Sequence, residues 1–136
     1  MNKILIVHTS WYKDYIKTMI ESASNKLTPE YQINLACAPG AIELAALAKH
    51  KILKEENIYA GILFLGIVVR GETTHYELVT NETFRSIGDL ALDFSNISVI
   101  NNVICVENKD QLLKRLTINT ENNAKALISL INEKSI

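Results

Sequence analysis

The feature that most constrains the fold of this chain is an alternation between short apolar runs and longer segments with a helical period. Four runs rich in Ile, Val, Leu and Ala predict buried strands at residues 3–8, 32–38, 60–69 and 97–106. Between and after these runs, apolar residues recur every three or four positions. This pattern predicts helices over residues 12–26, 41–56, 74–93, 109–116 and 121–133.

Strands that are apolar on both faces and alternate with helices are typical of a parallel sheet covered on both sides. The sequence therefore predicts one α/β domain over residues 1–136, a three-layer αβα sandwich around a four-stranded parallel sheet. In such open sheets, ligands bind beyond the carboxyl ends of the strands. Any functional site is therefore expected in the loops that follow the four strands.

Composition excludes several classes of function. The net charge is −1 and the basic residues are scattered, so neither nucleic acid nor an acidic membrane is expected as a partner. The first apolar run is too short for a signal peptide or a membrane span, which favours a cytoplasmic protein. Cys37 and Cys105 lie in strand-like segments and are expected to be reduced, buried side chains. No CxxC motif or Cys/His cluster suggests a metal.

The stretch GIVVRGETTHYELVTNE, residues 66–82, carries the strongest candidate site. Gly71 allows a sharp turn after the strand, and Thr74 with Glu77 has the spacing of a capping box. A helix that begins near Thr74 would offer backbone N–H groups to an anion. His75 would then lie in the first turn, where an imidazole can accept and return protons. The plain alternative is a capped helix with an exposed histidine.

Three further residues suit a polar, planar ligand, although each also has a structural explanation. Glu43 opens the helix after APG, where the helix dipole alone favours a carboxylate. Trp11 follows the first strand and can stack on a heterocycle or simply pack. Arg115 can clamp a phosphate or remain a solvated charge. The chain contains no P-loop, GxGxxG, GxSxG or HExxH motif.

The segments APGAIELAALAK and GIVVRGETTHYELVTNE resemble the signature segments of the 6,7-dimethyl-8-ribityllumazine synthase family, and the likeness covers nearly the whole chain. The resemblance implies a flavodoxin-like sandwich and an enzyme of riboflavin biosynthesis. It implies condensation of 5-amino-6-(D-ribitylamino)uracil with 3,4-dihydroxy-2-butanone 4-phosphate, with release of phosphate and water. It also implies that no metal or organic cofactor is used.

The resemblance also assigns roles to residues of this chain. It assigns proton transfer to His75, and it assigns phosphate contacts to Glu72, Thr73 and, from the adjacent subunit, Arg115. The residues expected to contact the pyrimidine are Trp11, Ala41, Ile42, Glu43, Ile67, Val68, Val69 and Asn101.

The resemblance implies homo-oligomers built from pentamers, with active sites between subunits, and riboflavin synthase as a further partner. Two positions depart from the family pattern. Asn101 stands where the family often has an aromatic or apolar residue, and ENNAK, residues 121–125, lacks the family's Asn-Lys-Gly element unless Lys125 substitutes. With the first strand so close to residue 1, these features predict a pentamer or a pair of pentamers rather than a complete shell.

Two other functions remain open from the sequence. One is a member of the family that binds flavin or lumazine, or only assembles, without turnover. The other is an unrelated flavodoxin-like binding module, which the two long motif matches disfavour. Turnover of the two substrates distinguishes the enzyme from both.

Overall fold

The computed structural model describes residues 2–55 and 57–136. Four strands alternate with four helices along the chain, and a short 3₁₀ turn, Ala41–Glu43, precedes the second helix. The strands are β1 Lys3–Thr9, β2 Gln32–Ala38, β3 Tyr59–Val69 and β4 Ser98–Val106. The helices are α1 Lys13–Leu27, α2 Leu44–Lys54, α3 His75–Asp93 and α4 Lys109–Lys134.

The four strands form one sheet in the order β2-β1-β3-β4, and every pairing is parallel. One apolar cluster joins the sheet to α1 and α4, and a second joins the opposite face to α2 and α3. The alternation of side chains along β1 explains this division, since Ile4 and Ile6 belong to the first cluster and Leu5 and Val7 to the second. The predicted αβα sandwich with a four-stranded parallel sheet is confirmed.

Strand β3 lies at the centre of the sheet, between β1 and β4. Its first nine residues are buried, and only its carboxyl end is partly exposed. Helices on both faces require apolar side chains in both orientations, which explains the unbroken apolar run in the sequence. The end of β3 therefore carries the chain from the core to the edge where the candidate site lies.

The prediction of two helices after the last strand is wrong, because α4 runs continuously through residues 109–134. The gap between the two predicted helices falls on TINT, residues 117–120. In the structure, Thr120 is buried within the helix, and its hydroxyl donates to Leu116 O over 2.7 Å. Hydrogen bonding of this kind allows a threonine to occupy a buried helical position, so no break is needed.

The other predicted boundaries need small corrections. Residues 41–43 form the 3₁₀ turn rather than the first turn of an α-helix, and α2 ends at Lys54. The predicted end of that helix, Glu56, lies outside the described residues. Tyr12 precedes α1 in a left-handed conformation, with φ of 59°, so the first α-helical residue is Lys13.

The prediction that both cysteines are buried is wrong for Cys37, which is exposed, while Cys105 is partly buried. The difference follows from sheet position. Cys37 lies near the end of β2, which is an edge strand and carries exposed residues at positions 32, 35 and 37. An apolar run therefore does not guarantee burial when the strand lies at the edge of the sheet.

Candidate active site

A cavity of about 360 Å³ opens at the carboxyl edge of the sheet. Its walls come from the segments that follow β1 and β2, from the end of β3 and from the start of α3. The lining residues are Trp11, Tyr12, Gly40, Ala41, Ile42, Glu43, Ile67, Val68, Val69, His75 and Val79. Eight of the twelve residues that the sequence nominated are among them, so the fold brings together candidates from three separate loops.

The parallel register explains why these loops converge. Thr9 at the end of β1 pairs with Ala38 at the end of β2, so the chain leaves both strands at the same level. Ser10 then joins the two loops, because its backbone N–H donates to Ala38 O over 3.1 Å and its hydroxyl donates to Pro39 O over 3.2 Å. These bonds hold Trp11 beside the 3₁₀ turn.

The 3₁₀ turn presents Glu43 at the cavity. The turn closes through the backbone N–H of Glu43, which donates to Gly40 O over 3.3 Å. A Cβ added at Gly40 would lie 3.0 Å from Glu43 Oε1, so a side chain at position 40 would crowd the carboxylate. The glycine thus leaves room for the carboxylate at the cavity wall, where it can accept hydrogen bonds from a polar ligand.

His75 is the first residue of α3, and its side chain is exposed at the cavity. The predicted capping box is wrong: Thr74 makes no side-chain capping bond, and Thr73 Oγ1 instead accepts from the backbone N–H of His75 over 3.2 Å. The Glu77 carboxylate pairs with Arg70 through Oε1 and makes no bond to the backbone of Thr74. The helix still begins where the spacing predicted, with its first side chain facing the cavity.

Arg70 stabilises the loop between β3 and His75 through two ion pairs. Its Nε donates to both carboxylate oxygens of Glu107, at 2.9 Å and 2.8 Å, and its Nη1 donates to Glu77. The guanidinium carbon also lies 4.3 Å from the centre of the Tyr76 ring. Arg70 thus joins the end of β3 to the first turn of α3 and to the residue that follows β4.

The charges in this group stabilise one another. The hydrogen bond from Arg70 lowers the pKa of the Glu77 carboxyl below its ordinary value, and a backbone hydrogen bond adds to the effect. Hydrogen bonds to Glu107 and then Glu77 raise the pKa of Arg70. Arg70 is therefore a fixed, paired cation. This arrangement was not predictable from the sequence, because Glu107 lies 37 positions from Arg70 along the chain.

Four nominated residues do not line the cavity of the single chain. Glu72 and Thr73 lie in the exposed loop immediately before His75. Asn101 lies within β4 beside Phe64, and its Oδ1 accepts from the backbone N–H of Val103 over 2.9 Å. Arg115 lies on the exposed side of α4, where its Nη1 donates to Gln111 O over 3.0 Å.

Sequence reasoning did not nominate three lining residues, Tyr12, Gly40 and Val79. Tyr12 was assigned to a helix because its spacing matched the apolar period of α1. In the structure, Tyr12 has a positive φ of 59° and lies before α1 at the cavity. A large residue rarely adopts this conformation, so the spacing could not indicate it. The position of Val79, one turn after His75, was a usable signal, since residues four apart lie on the same side of a helix.

The described residues contain no group of three or more His, Cys, Asp or Glu side chains placed to hold a metal ion. Within the same residues, no helix is long and apolar enough to cross a membrane.

The fold and the position of the cavity define the class of protein: an α/β sandwich whose candidate site lies at the carboxyl edge of a parallel sheet. Comparison with known families makes this more specific. The family model for 6,7-dimethyl-8-ribityllumazine synthase matches residues 1–134. The chain belongs to that family and is an enzyme, a transferase of riboflavin biosynthesis.

Individual relatives agree with the family match. The chain is 31% identical over 139 aligned positions to 6,7-dimethyl-8-ribityllumazine synthase of Zymomonas mobilis, and the match covers 98% of this chain and 97% of the relative. It is 31% identical to the protein of that name from Methylobacillus flagellatus, over 86% of this chain and 76% of the relative. The Burkholderia multivorans protein of that name is 39% identical over 72% of this chain and 55% of its own length.

Proposed function

We propose that this chain condenses 5-amino-6-(D-ribitylamino)uracil with 3,4-dihydroxy-2-butanone 4-phosphate to give 6,7-dimethyl-8-ribityllumazine, phosphate and water. The observation that carries the proposal is the cavity itself. It brings the aromatic ring of Trp11, the carboxylate of Glu43 and the imidazole of His75 together beyond the strand ends. These are the group types that a planar, polar substrate and a sequence of proton transfers require.

The pyrimidine ring is proposed to stack on Trp11. The Trp11 side chain is available for this because the residue is 67% exposed at the cavity mouth. Ala41, Ile42 and the end of β3, residues 67–69, supply the apolar and backbone surface on the other sides. Glu43 accepts hydrogen bonds from the hydroxyl or N–H groups of the ribityl-bearing pyrimidine.

His75 is proposed to move protons. The substrate amine attacks the ketone carbonyl, and the carbinolamine loses water to give an imine. Phosphate then leaves, and the resulting enol becomes a new ketone. The second amine attacks this ketone and a second water is lost as the ring closes. Each step adds a proton to an oxygen or nitrogen, or removes one, and a single imidazole at the cavity can serve several of them. Because the amine is already nucleophilic, the residues of the chain need only hold the two substrates together and exchange protons.

The phosphate group needs a cation that the cavity of one chain does not provide. Among the described lining residues, none is Lys or Arg. Arg70, the nearest arginine in the loop, is paired with Glu77 and Glu107. We therefore propose that Glu72 and Thr73 contact the phosphate through backbone and hydroxyl groups, and that Arg115 reaches it from a neighbouring subunit.

This arrangement requires an assembly in which sites lie between copies of the chain. We propose that residues 1–136 act as one domain within a homopentamer or a pair of pentamers. Asn101, which does not line the cavity of its own chain, is proposed to approach the pyrimidine of the next subunit and to bond a uracil edge. We propose that the enzyme works in the cytoplasm and that riboflavin synthase takes up its product.

The test is a turnover assay with both substrates, with lumazine formation followed by absorbance against the uncatalysed rate. The His75→Ala variant is expected to lose about 100-fold or more in kcat, which is the scale of general acid–base catalysis. The matched control is His50→Ala, because His50 is an exposed histidine on α2 that does not line the cavity. This control is expected to retain full activity.

The outcomes separate the candidate functions. Turnover that survives His75→Ala would show that positioning alone accelerates the reaction and would remove the proton-transfer role of His75. Binding of the pyrimidine without any turnover by the unmodified chain would identify a binding protein built on the fold of an enzyme.

A further inference from the structure

A small polar cluster lies between β4 and α4, away from the cavity. Asn102 Nδ2 donates to Thr120 Oγ1 over 2.8 Å, and Asn123 Nδ2 donates to Asn102 Oδ1 over 2.6 Å. Thr120 Oγ1 in turn donates to Leu116 O over 2.7 Å. Asn102 is 2% exposed and Thr120 is fully buried, so the cluster replaces apolar packing at the centre of the interface.

Hydrogen bonds hold both ends of α4: the backbone N–H of Glu107 donates to Gln111 Oε1 over 2.8 Å, and Lys134 Nζ donates to Ser95 O and Ile97 O over 3.0 Å and 2.9 Å. Between these ends, the rest of the interface is apolar. The residues of α4 that pack against the sheet and α1 include Leu112, Leu116, Ala124 and Leu127. Apolar contact is non-directional, so it defines the rotation and tilt of this middle part less closely than hydrogen bonds do. Buried hydrogen bonds have fixed partners, and a single buried polar residue can determine the register of two packed elements. We therefore name Asn102, Thr120 and Asn123 the register cluster.

Arg115 lies on the same helix as the register cluster. It precedes Thr120 by five residues, about 7.5 Å along the helix axis, with no break between them. Its guanidinium donates to Gln111 O, which belongs to α4 itself, so that bond moves with the helix. The position of Arg115 relative to the sheet therefore depends on what fixes α4 against β4.

We propose that the register cluster sets the position of Arg115 and thereby the affinity for the phosphate-bearing substrate. This inference rests on the proposed function, in which Arg115 binds phosphate. Asn102, Thr120 and Asn123 are positioning residues and do not touch the substrate. Without them, the part of α4 between its hydrogen-bonded ends can rotate or tilt against β4, and a shift of about 1–2 Å is enough to misplace the charged contact of Arg115.

The test replaces the buried polar pair by apolar residues of similar volume, Asn102→Leu with Thr120→Val. Asn123 is partly exposed, so its amide can turn to water. Because the replacement removes both partners of a buried bond, thermal stability should stay the same or rise. KM for 3,4-dihydroxy-2-butanone 4-phosphate is expected to rise about tenfold as the charged contact is misplaced. KM for the pyrimidine should stay unchanged.

Three comparisons identify the route of the effect. Thr83→Val is the matched control, because Thr83 is a fully buried threonine of α3 whose hydroxyl has no partner among the described residues. It should leave both KM values unchanged. Thr120→Ser, made alone, keeps the hydroxyl. It should leave the KM for the phosphate substrate at the value of the unmodified chain. In an Arg115→Ala background, the double replacement should raise that KM no further, because both changes remove the same interaction.

The kinetic pattern decides the inference. A lowered melting temperature with both KM values unchanged would show that the cluster is purely structural and would overturn the inference. A tenfold rise that persists in the Arg115→Ala background would also overturn it. Failure of the unmodified chain to turn over the substrates would overturn the proposed function and, with it, this inference. Turnover by the unmodified chain with an unchanged KM in the variant would overturn the inference alone.

Discussion

The thiols of Cys37 and Cys105 should differ in reactivity because their surroundings differ. Cys37 is exposed on the edge strand β2. Cys105 is partly buried on β4, and burial raises the pKa of its thiol to about 11. Since the thiolate is the reactive form, we expect a maleimide at neutral pH to label Cys37 rapidly and Cys105 at least about 10-fold more slowly.

Mass spectrometry of peptides from a labelling time course measures both rates in one sample. Denaturant should make the two rates similar, which serves as the internal control. Equal rates in the folded protein would contradict the difference in exposure between the edge strand and β4.

The candidate site shows what can be predicted at the scale of single residues. Trp11, Glu43 and His75 were predictable because each follows a strand, and parallel strands end at a common edge. The pairing of Arg70 with Glu107 was not predictable, because the sequence does not show which loops lie next to each other. The capping box failed for the same reason: Glu77 had a stronger partner in Arg70 than the backbone near Thr74.

At the scale of secondary-structure elements, Arg70 connects β3, α3 and the loop after β4. Arg70→Ala should loosen the segment that carries His75 and lower kcat/KM by about tenfold, since small misplacements of catalytic groups reduce rates strongly. The measurement is steady-state kinetics with both substrates. Arg85→Ala is the matched control, because Arg85 also pairs with two carboxylates, Glu82 and Asp89, but all three belong to α3.

If Arg85→Ala lowers kcat/KM as much as Arg70→Ala, then loss of a paired positive charge explains the effect and the connection between elements does not. A Tyr76→Leu variant adds a second comparison, because it removes the ring under the guanidinium and keeps both carboxylates. It should have a smaller effect than Arg70→Ala.

The elements themselves were largely predictable, since the apolar patterns give the four strands and the first three helices to within a few residues. The error at α4 has a physical cause. Residues 117–120 are Thr, Ile, Asn and Thr, which have a lower helix propensity than Ala or Leu. In the structure, the partner of Thr120 on β4, Asn102, satisfies its hydroxyl within the helix. A pattern along the chain cannot show a partner that lies on another strand.

At the scale of the whole molecule, a site shared between subunits predicts complementation. At a fixed, low concentration of the phosphate substrate, His75→Ala and Arg115→Ala chains should each keep only a small fraction of the unmodified activity. After joint unfolding and refolding, mixed assemblies should recover about a quarter of the unmodified activity. In the proposed head-to-tail interface, His75 of one chain meets Arg115 of the next, and a quarter of the interfaces in a random mixture have both residues unmodified. Light scattering on the same samples measures assembly.

Separately refolded variants mixed without exchange of subunits provide the control and should keep only their low residual activity. Absence of recovery in mixed assemblies of the correct mass would place both residues in the same chain's site. That result would contradict the proposed sharing.

The burial of β3 has a consequence for the newly made chain. Residues 59–69 contain no charge and no proline, and segments of this composition form intermolecular β-structure when they are left uncovered. One of its two partners, β4, begins only at Ser98 and therefore leaves the ribosome later. Arg70, the first charged residue after the run, is placed where a gatekeeper against aggregation is most effective. The residue that holds the loop before His75 in the folded protein would thus protect the nascent chain before that loop forms.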